Sequence, residues 1–228
     1  MKPTRVFLVR HGATTLSAED RFAGETEVEL SEEGREQLHH LAARLAREPL
    51  AAVAASPMKR TVESARILAA PHGLPFLPVD GLREISHGRW EQLTRAEVEA
   101  RWPDEYACWE RDPYTFAPEG GETGLAVTAR ALPVLVSLVN EHAGRSILVV
   151  SHKATIRLLL SALIGFDPRT YRDRLDQSPA CLNVLDFKGP SQARLMLFND
   201  VSHYAHAGAS TPSLPRGSLS KWWDDPPI

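Results

Sequence analysis

Three short apolar runs, each followed by a polar turn and a helical pattern, recur along the chain. They cover residues 6–9, 51–55 and 147–150. Runs of this length and polarity are typical of strands that are buried on both faces of a sheet. The repeated strand-to-helix order predicts an α/β fold: a three-layer sandwich with a mainly parallel central sheet and helices on both faces.

The helical patterns after the second and third runs have recognisable ends. Ser56 and Pro57 are expected to cap and begin a helix that continues to Ala70, because both residue types are favoured at those positions. Residues 154–164 are mostly apolar. They predict a helix that packs on the sheet and ends at Gly165.

The segment between these two predicted helices has a different pattern. Aromatic residues gather there in a polar background, over residues 82–122. Thr94 and Glu97 have the spacing of a capping box, which indicates the start of a helix. We expect a helical insertion over about residues 85–122 that covers the edge of the sheet and the active site. A helix over about residues 123–142 then leads back into the sheet.

The C-terminal part changes from strands to an irregular segment. Residues 182–187 and 194–198 predict two short outer strands. The tail, residues 205–228, is rich in Pro, Gly and Ser and predicts no regular structure. Its two adjacent tryptophans are costly to expose, so they are expected to dock on the body or on a second subunit of a homodimer. We expect one domain over residues 1–204, followed by this tail.

Composition and charge argue against several classes of partner. The apolar share of 43% and the charged share of 24% are close to globular averages. A net charge of -3 gives no global field that would attract nucleic acid or an anionic membrane. No apolar stretch approaches the roughly 18 residues of a membrane span, and the N-terminal apolar run is too short for a signal peptide, so a cytoplasmic location is expected. Cys108 and Cys181 lack the spacing of a disulfide framework or a zinc site.

Cationic and imidazole side chains follow the three predicted strands. Arg10 and His11 come directly after the first, Arg60 follows the second, and His152 follows the third. The carboxyl ends of parallel strands meet at one edge of a sheet, so these side chains are expected to converge. Two guanidinium groups and two imidazoles would repel one another unless an anion lay among them. A phosphate fits the forked donors of arginine and needs no metal or cofactor.

Phosphoryl transfer also requires a nucleophile and a proton donor. A histidine with a pKa of about 6.5 has a neutral, nucleophilic nitrogen near pH 7, so His11 is the candidate nucleophile. Glu84 is the candidate that protonates the leaving oxygen and then activates water. His87, three residues further on, is a candidate to line the site.

The same segments resemble a known family. The sequences RHG, SPMKR, LREISHGRWEQLT, EGGET and VVSHKATIRLLL are together similar to the histidine phosphatase superfamily, which includes cofactor-dependent phosphoglycerate mutases and broad-specificity phosphatases. The resemblance covers about residues 6–165. It implies a phosphoglycerate mutase-like fold, phosphorylation of His11 and proton transfer by Glu84. It also implies three side chains that hold the phosphate oxygens, Arg10, Arg60 and His152.

Further contacts follow from the same resemblance. It implies a polar side chain near Ser17 and backbone groups near Ala23 and Gly24 around the phosphate. The chain departs from the family at Lys153, which stands where glycine usually follows the second histidine. Lys153 at the mouth of the pocket would indicate a substrate with a second acidic group, whereas a side chain that points to solvent would indicate nothing.

Three functions are compatible with this pattern. The compact insertion resembles the broad-specificity and α-ribazole phosphatases, which favours a phosphomonoesterase of the histidine acid phosphatase type acting on a small phosphorylated metabolite. Phosphoryl transfer of the phosphoglycerate mutase type is one alternative. A non-catalytic phosphate-binding module is the other, although the presence of both His11 and Glu84 argues against it.

Overall fold

A six-stranded sheet forms the centre of the protein. The computed structural model describes residues 2–16, 21–190 and 192–205. The strand order is β3-β2-β4-β1-β5-β6. Strands β1 to β4 are mutually parallel, and β5 runs antiparallel to both β1 and β6. The strands are β1 Thr4–Arg10, β2 Leu50–Ala55, β3 Phe76–Pro78, β4 Ser146–Ser151, β5 Leu182–Gly189 and β6 Gln192–Asp200.

Helices cover both faces of this sheet. They are α1 Glu32–Leu45, α2 Lys59–Ala69, α3 Arg95–Arg101, α4 Pro103–Arg111, α5 Gly124–Glu141, α6 Lys153–Ile164, α7 Tyr171–Arg174 and α8 Ser202–Ala205. Alternate residues of β1 pack into two cores: Phe7 and Val9 lie with α1 and α2, whereas Val6 and Leu8 lie with α5 and α6. The predicted α/β fold in three layers, with a mainly parallel sheet, is therefore confirmed.

The insertion has a small core of its own. Helices α3 and α4 pack around Trp90, Tyr106 and Trp109, and Phe22 joins them from the loop after β1. The predicted capping box is present. The Thr94 side chain accepts a hydrogen bond from the backbone N–H of Glu97, and the Glu97 side chain accepts one from the backbone N–H of Thr94. The insertion is therefore helical, as its sequence predicts, and it is packed separately from the two cores of the sheet.

The start of α2 differs from the prediction. The helix begins at Lys59, and Met58 at the N-cap position makes no side-chain bond to it. The backbone N–H of Lys59 donates instead to the carboxylate of Glu27 at 2.9 Å. The hydroxyl of Ser56 instead lies 2.8 Å from Nε2 of His152. The expected cap is wrong because a tertiary partner, which the local sequence does not show, takes the Ser56 hydroxyl. The helix ends at Ala69, one residue before the predicted end.

Helix α5 has the length and composition of a membrane-spanning helix, with 18 residues and a mean hydropathy of 1.2. This corrects the expectation that no apolar stretch approaches that length. Val127, Ala131 and Leu135 on this helix are fully buried inside the protein, and Arg130 pairs with Glu122. In this fold α5 is therefore a core helix.

The two strands predicted after residue 182 are present and form an antiparallel hairpin of β5 and β6. Only β6 is at the edge of the sheet, because β5 also pairs with β1. The tail lies outside the described residues from position 206 onward, and so do Trp222 and Trp223. Their docking and the homodimer stay predictions.

Candidate active site

The turn after β1 fixes the backbone of His11. His11 N donates to the carbonyl of Ser151 at 3.1 Å, which ties the end of β1 to the end of β4. Gly12 follows, and a Cβ atom at this position would lie 2.5 Å from the carbonyl oxygen of Gly34. Only glycine fits this close approach of two backbone segments. The turn therefore holds the imidazole at the carboxyl edge of the sheet.

The tautomer of His11 follows from its neighbour. Nδ1 lies 2.8 Å from the carbonyl oxygen of Gly12. A carbonyl only accepts, so Nδ1 carries the proton and Nε2 of the neutral ring keeps its lone pair. The ring is 6% exposed. Burial, with the positive charges of Arg60 and Arg10, holds the pKa of His11 well below its usual 6.5.

His152 lies between β4 and α6, with its ring centre 5.2 Å from that of His11. Arg60 Nε donates to Nδ1 of His152 at 3.2 Å. Because a guanidinium only donates, Nε2 carries the proton and donates to Ser56 Oγ. Burial and the charge of Arg60 hold the pKa of His152 well below its usual 6.5. Both imidazoles are therefore neutral near pH 7.

Two arginines lie beside these rings, Arg60 buried and Arg10 half-buried. Arg60 is 2% exposed and donates to the carbonyls of Thr26 and Gly24, both at 2.8 Å. Arg10 donates to the carbonyl of Gln177 at 2.6 Å, and its buried Nε has no acceptor among the described residues. None of the ion pairs formed by the described residues includes Arg10 or Arg60. Arginines without an ion-pair partner in such a position favour the binding of an anion.

The carboxylate of Glu84 lies at the first turn of α6. It accepts from the backbone N–H groups of Ala154 and Thr155, both at 3.1 Å, and from the Thr155 hydroxyl at 3.1 Å. These N–H groups at the start of α6 hold the carboxyl group of Glu84 in position. Among the described residues, Oε2 accepts only the bond from Ala154, so it keeps a free lone pair, and Glu84 lines the cavity.

The predicted residues line one cavity. Arg10, His11, Arg60 and Glu84 lie in its wall, with Ala23, Gly24 and Lys153. His152 contacts His11 and Arg60 from behind this wall. The predicted convergence is therefore observed, while the catalytic roles stay predictions. Ser17 lies outside the described residues.

Sequence reasoning missed part of the same wall. Arg21, Trp109, Arg157, Tyr171 and Arg172 also line the cavity. His87, in contrast, was expected to line the site and does so. The sequence could have indicated Arg157, because it is a charged residue in a mostly apolar stretch of helix α6. No sequence pattern indicated Tyr171 and Arg172, since the short helix α7 that carries them follows no motif. Among the described residues, no group of three or more His, Cys, Asp or Glu is placed to hold a metal ion.

The fold and this site together define an α/β protein with paired histidines and arginines at the carboxyl edge of a parallel sheet. The family model "Histidine phosphatase superfamily (branch 1)" matches residues 6–201. The chain belongs to this superfamily.

Its relatives include named phosphatases. Phosphoserine phosphatase 1 of Hydrogenobacter thermophilus is 32% identical over 163 residues, 72% of this chain and 77% of that protein. The glucosyl-3-phosphoglycerate phosphatase of Mycolicibacterium vanbaalenii is 33% identical over 172 residues, 72% of this chain and 76% of that protein. These relatives support phosphomonoester hydrolysis as the class of reaction.

Solved structures agree with the fold. YhfR of Bacillus stearothermophilus superposes with a TM-score of 0.82 at 29% identity, over 88% of this chain and 98% of that one. The α-ribazole phosphatase of Shigella flexneri gives a TM-score of 0.78 at 25% identity, over 86% of this chain and 96% of that one.

Proposed function

We propose that the chain hydrolyses small phosphomonoesters through a covalent phosphohistidine on His11. One observation carries this proposal: the Nδ1–H bond of His11 to the Gly12 carbonyl leaves Nε2 unprotonated, in a cavity lined by two unpaired guanidinium groups. A neutral imidazole beside a bound phosphoryl group is poised as a nucleophile. The low pKa of His11 keeps it neutral even in mild acid.

The first step transfers the phosphoryl group. His11 Nε2 forms a P–N bond while the P–O bond to the leaving group breaks, and the carboxyl of Glu84 gives its proton to the leaving oxygen. Arg10 and Arg60 neutralise the charge on the phosphoryl oxygens. The bond from Nδ1–H to the Gly12 carbonyl offsets the positive charge that develops on the ring.

The second step reverses these roles. The Glu84 carboxylate takes a proton from water, whose oxygen forms a P–O bond as the P–N bond breaks. Inorganic phosphate leaves, His11 is again neutral, and Glu84 is again protonated. One carboxyl group therefore serves as acid and then as base.

Hydrolysis of p-nitrophenyl phosphate in excess chelator tests this function. We expect the parent to turn over, and His11→Ala and Glu84→Gln to lose at least about a hundredfold in kcat, the low end for a positioned acid or base. His39→Ala changes an exposed histidine of α1 and serves as the matched control. A parent that is inactive, or that the chelator inactivates, would contradict the proposal.

Trapping the intermediate separates the alternatives. Rapid quenching in base with ³²P-labelled substrate should label the parent and leave His11→Ala unlabelled. Phosphoryl exchange that depends on a bisphosphate primer would indicate the mutase reaction instead. Binding of phosphate with neither turnover nor label would indicate a non-catalytic binder.

A further inference from the structure

A second cationic cluster lines the cavity beside the phosphate-binding residues. Lys153 begins α6, and Arg157 lies one helical turn further on the same face. The Nζ of Lys153 lies 3.4 Å from Oδ1 of Asp176, and the Nη2 of Arg157 lies 3.2 Å from the same oxygen. Two cations therefore share one carboxylate oxygen.

This cluster has an excess of positive charge. The side chain of Arg157 is 9% exposed, and its buried Nε has no acceptor among the described residues. Burial and the charges of Arg157 and Arg10 lower the pKa of Lys153 to about 8, although Asp176 opposes this shift. An unneutralised charge in such surroundings is costly unless an anion joins it.

We propose that Lys153 and Arg157 form a subsite for a carboxylate of the substrate, so that this enzyme acts on phosphorylated hydroxy acids. This inference rests on the proposed function and adds the class of substrate to it. Arg10 and Arg60 match the two charges of a phosphomonoester. Lys153 and Arg157, less the charge of Asp176, leave one positive charge for the second group of the ligand.

The charge balance favours a carboxylate over a second phosphate. A carboxylate has one negative charge and two oxygens, which suit the remaining Nε–H donor of Arg157 and the Lys153 ammonium. A second phosphate dianion would exceed the available charge and would be repelled by Asp176. Asp176 thus limits the subsite to a singly charged group.

Three probes on one carbon frame test this subsite. They are 3-phosphooxypropanoate, 3-hydroxypropyl phosphate and propane-1,3-diol bisphosphate, which differ only in the group distant from the first phosphate. Titration calorimetry in the His11→Ala background measures their affinities without turnover. We expect the acid to bind at least about tenfold more tightly than the alcohol, as for a charge-assisted pair.

Variants assign the preference to the cluster. Arg157→Gln and Lys153→Gln, each in the His11→Ala background, should reduce the ratio of the two affinities to less than about threefold. Arg169→Gln, which removes an exposed arginine paired with Asp167, should keep the ratio. Lys153 is only half-buried, so Lys153→Gln carries the test if Arg157→Gln does not fold.

Several results would overturn the subsite: equal affinities for acid and alcohol, no measurable binding of either, a ratio that both variants keep, or tightest binding of the bisphosphate. Failure of the proposed function is a separate result. It would appear as a parent that does not hydrolyse p-nitrophenyl phosphate, whatever the calorimetric ratio.

Discussion

Arg130 connects α5 to the segment that carries Glu84. Its guanidinium donates to the carbonyls of Gly81, Arg83 and Glu84, each at 2.9 Å. It also pairs with Glu122 at 2.8 Å, and Glu122 in turn accepts from the backbone N–H of Ser86. One side chain thus satisfies three carbonyls of an irregular loop and sets the position of the proposed acid.

We therefore expect Arg130→Met to reduce kcat by about ten- to a hundredfold with little change in KM, because small displacements of a catalytic group have effects of this size. Arg130→Lys, which keeps one donor group, should recover part of the loss. Steady-state kinetics with p-nitrophenyl phosphate measure both, and circular dichroism checks the fold. An equal loss in the two variants, or a change confined to KM, would argue against a positioning role.

Position relative to a strand predicts the central residues of the site. Arg10, His11, Arg60 and His152 each follow an apolar run, so their convergence can be derived from the geometry of parallel sheets. Asp176 could not be predicted in this way. It meets its partners only through tertiary packing of a loop after α7, and no local pattern marks such a contact.

At the scale of elements, α7 holds α4 of the insertion. The guanidinium of Arg172 lies 4.2 Å from the ring centre of Trp109. It donates to the carbonyls of Trp109 and Glu110 at 3.2 and 2.9 Å, within the last turn of α4. A cation at a helix C-terminus is stabilised by the dipole, and stacking on an indole adds to this.

Arg172→Ala should therefore loosen α4. We expect faster amide hydrogen exchange over residues 103–111 and weaker substrate binding, since Trp109 lines the cavity. Arg174→Ala changes an exposed arginine of the same short helix and is the control. Unchanged exchange in α4 would show that the core of the insertion alone fixes this helix.

The elements themselves were largely predictable, but their order in the sheet was not. Apolar runs predict β1, β2 and β4 because these strands are covered on both faces. The placement of β4 between β2 and β1 depends on which faces α2 and α6 cover, which local sequence does not show. The predicted start of α2 was wrong for a related reason, since the Ser56 hydroxyl bonds to His152, which follows β4 rather than β2.

The whole molecule should lose stability in mild acid. The pKa of His11 and of His152 lies well below 6.5 in the folded protein, and burial also lowers the pKa of His87. In the unfolded chain these histidines return to about 6.5. Below that pH the unfolded state binds more protons, so the free energy of unfolding falls by up to about 1.4 kcal/mol per pH unit for each histidine.

Urea denaturation at about pH 7.5, 6.5 and 5.5 measures this dependence. We expect the free energy of unfolding of His11→Gln to fall less steeply with decreasing pH than that of the parent, because one neutral buried imidazole has been removed. His39→Gln, at an exposed position, should keep the slope of the parent. A free energy of unfolding that is constant over this range would contradict the argument.

The separate core of the insertion bears on how such enzymes diverge. Phe22 comes from the loop after β1, yet the centre of its ring lies 5.4 Å from that of Trp90 and 5.3 Å from that of Trp109. Because this core is packed separately from the sheet, selection can change the aromatic residues of the insertion in small steps while the proposed nucleophile at the sheet edge stays unchanged. A chimera that replaces residues 85–122 with the insertion of a related protein must also replace the segment around Phe22. Otherwise the two parts of this core will come from different proteins and will not match in shape.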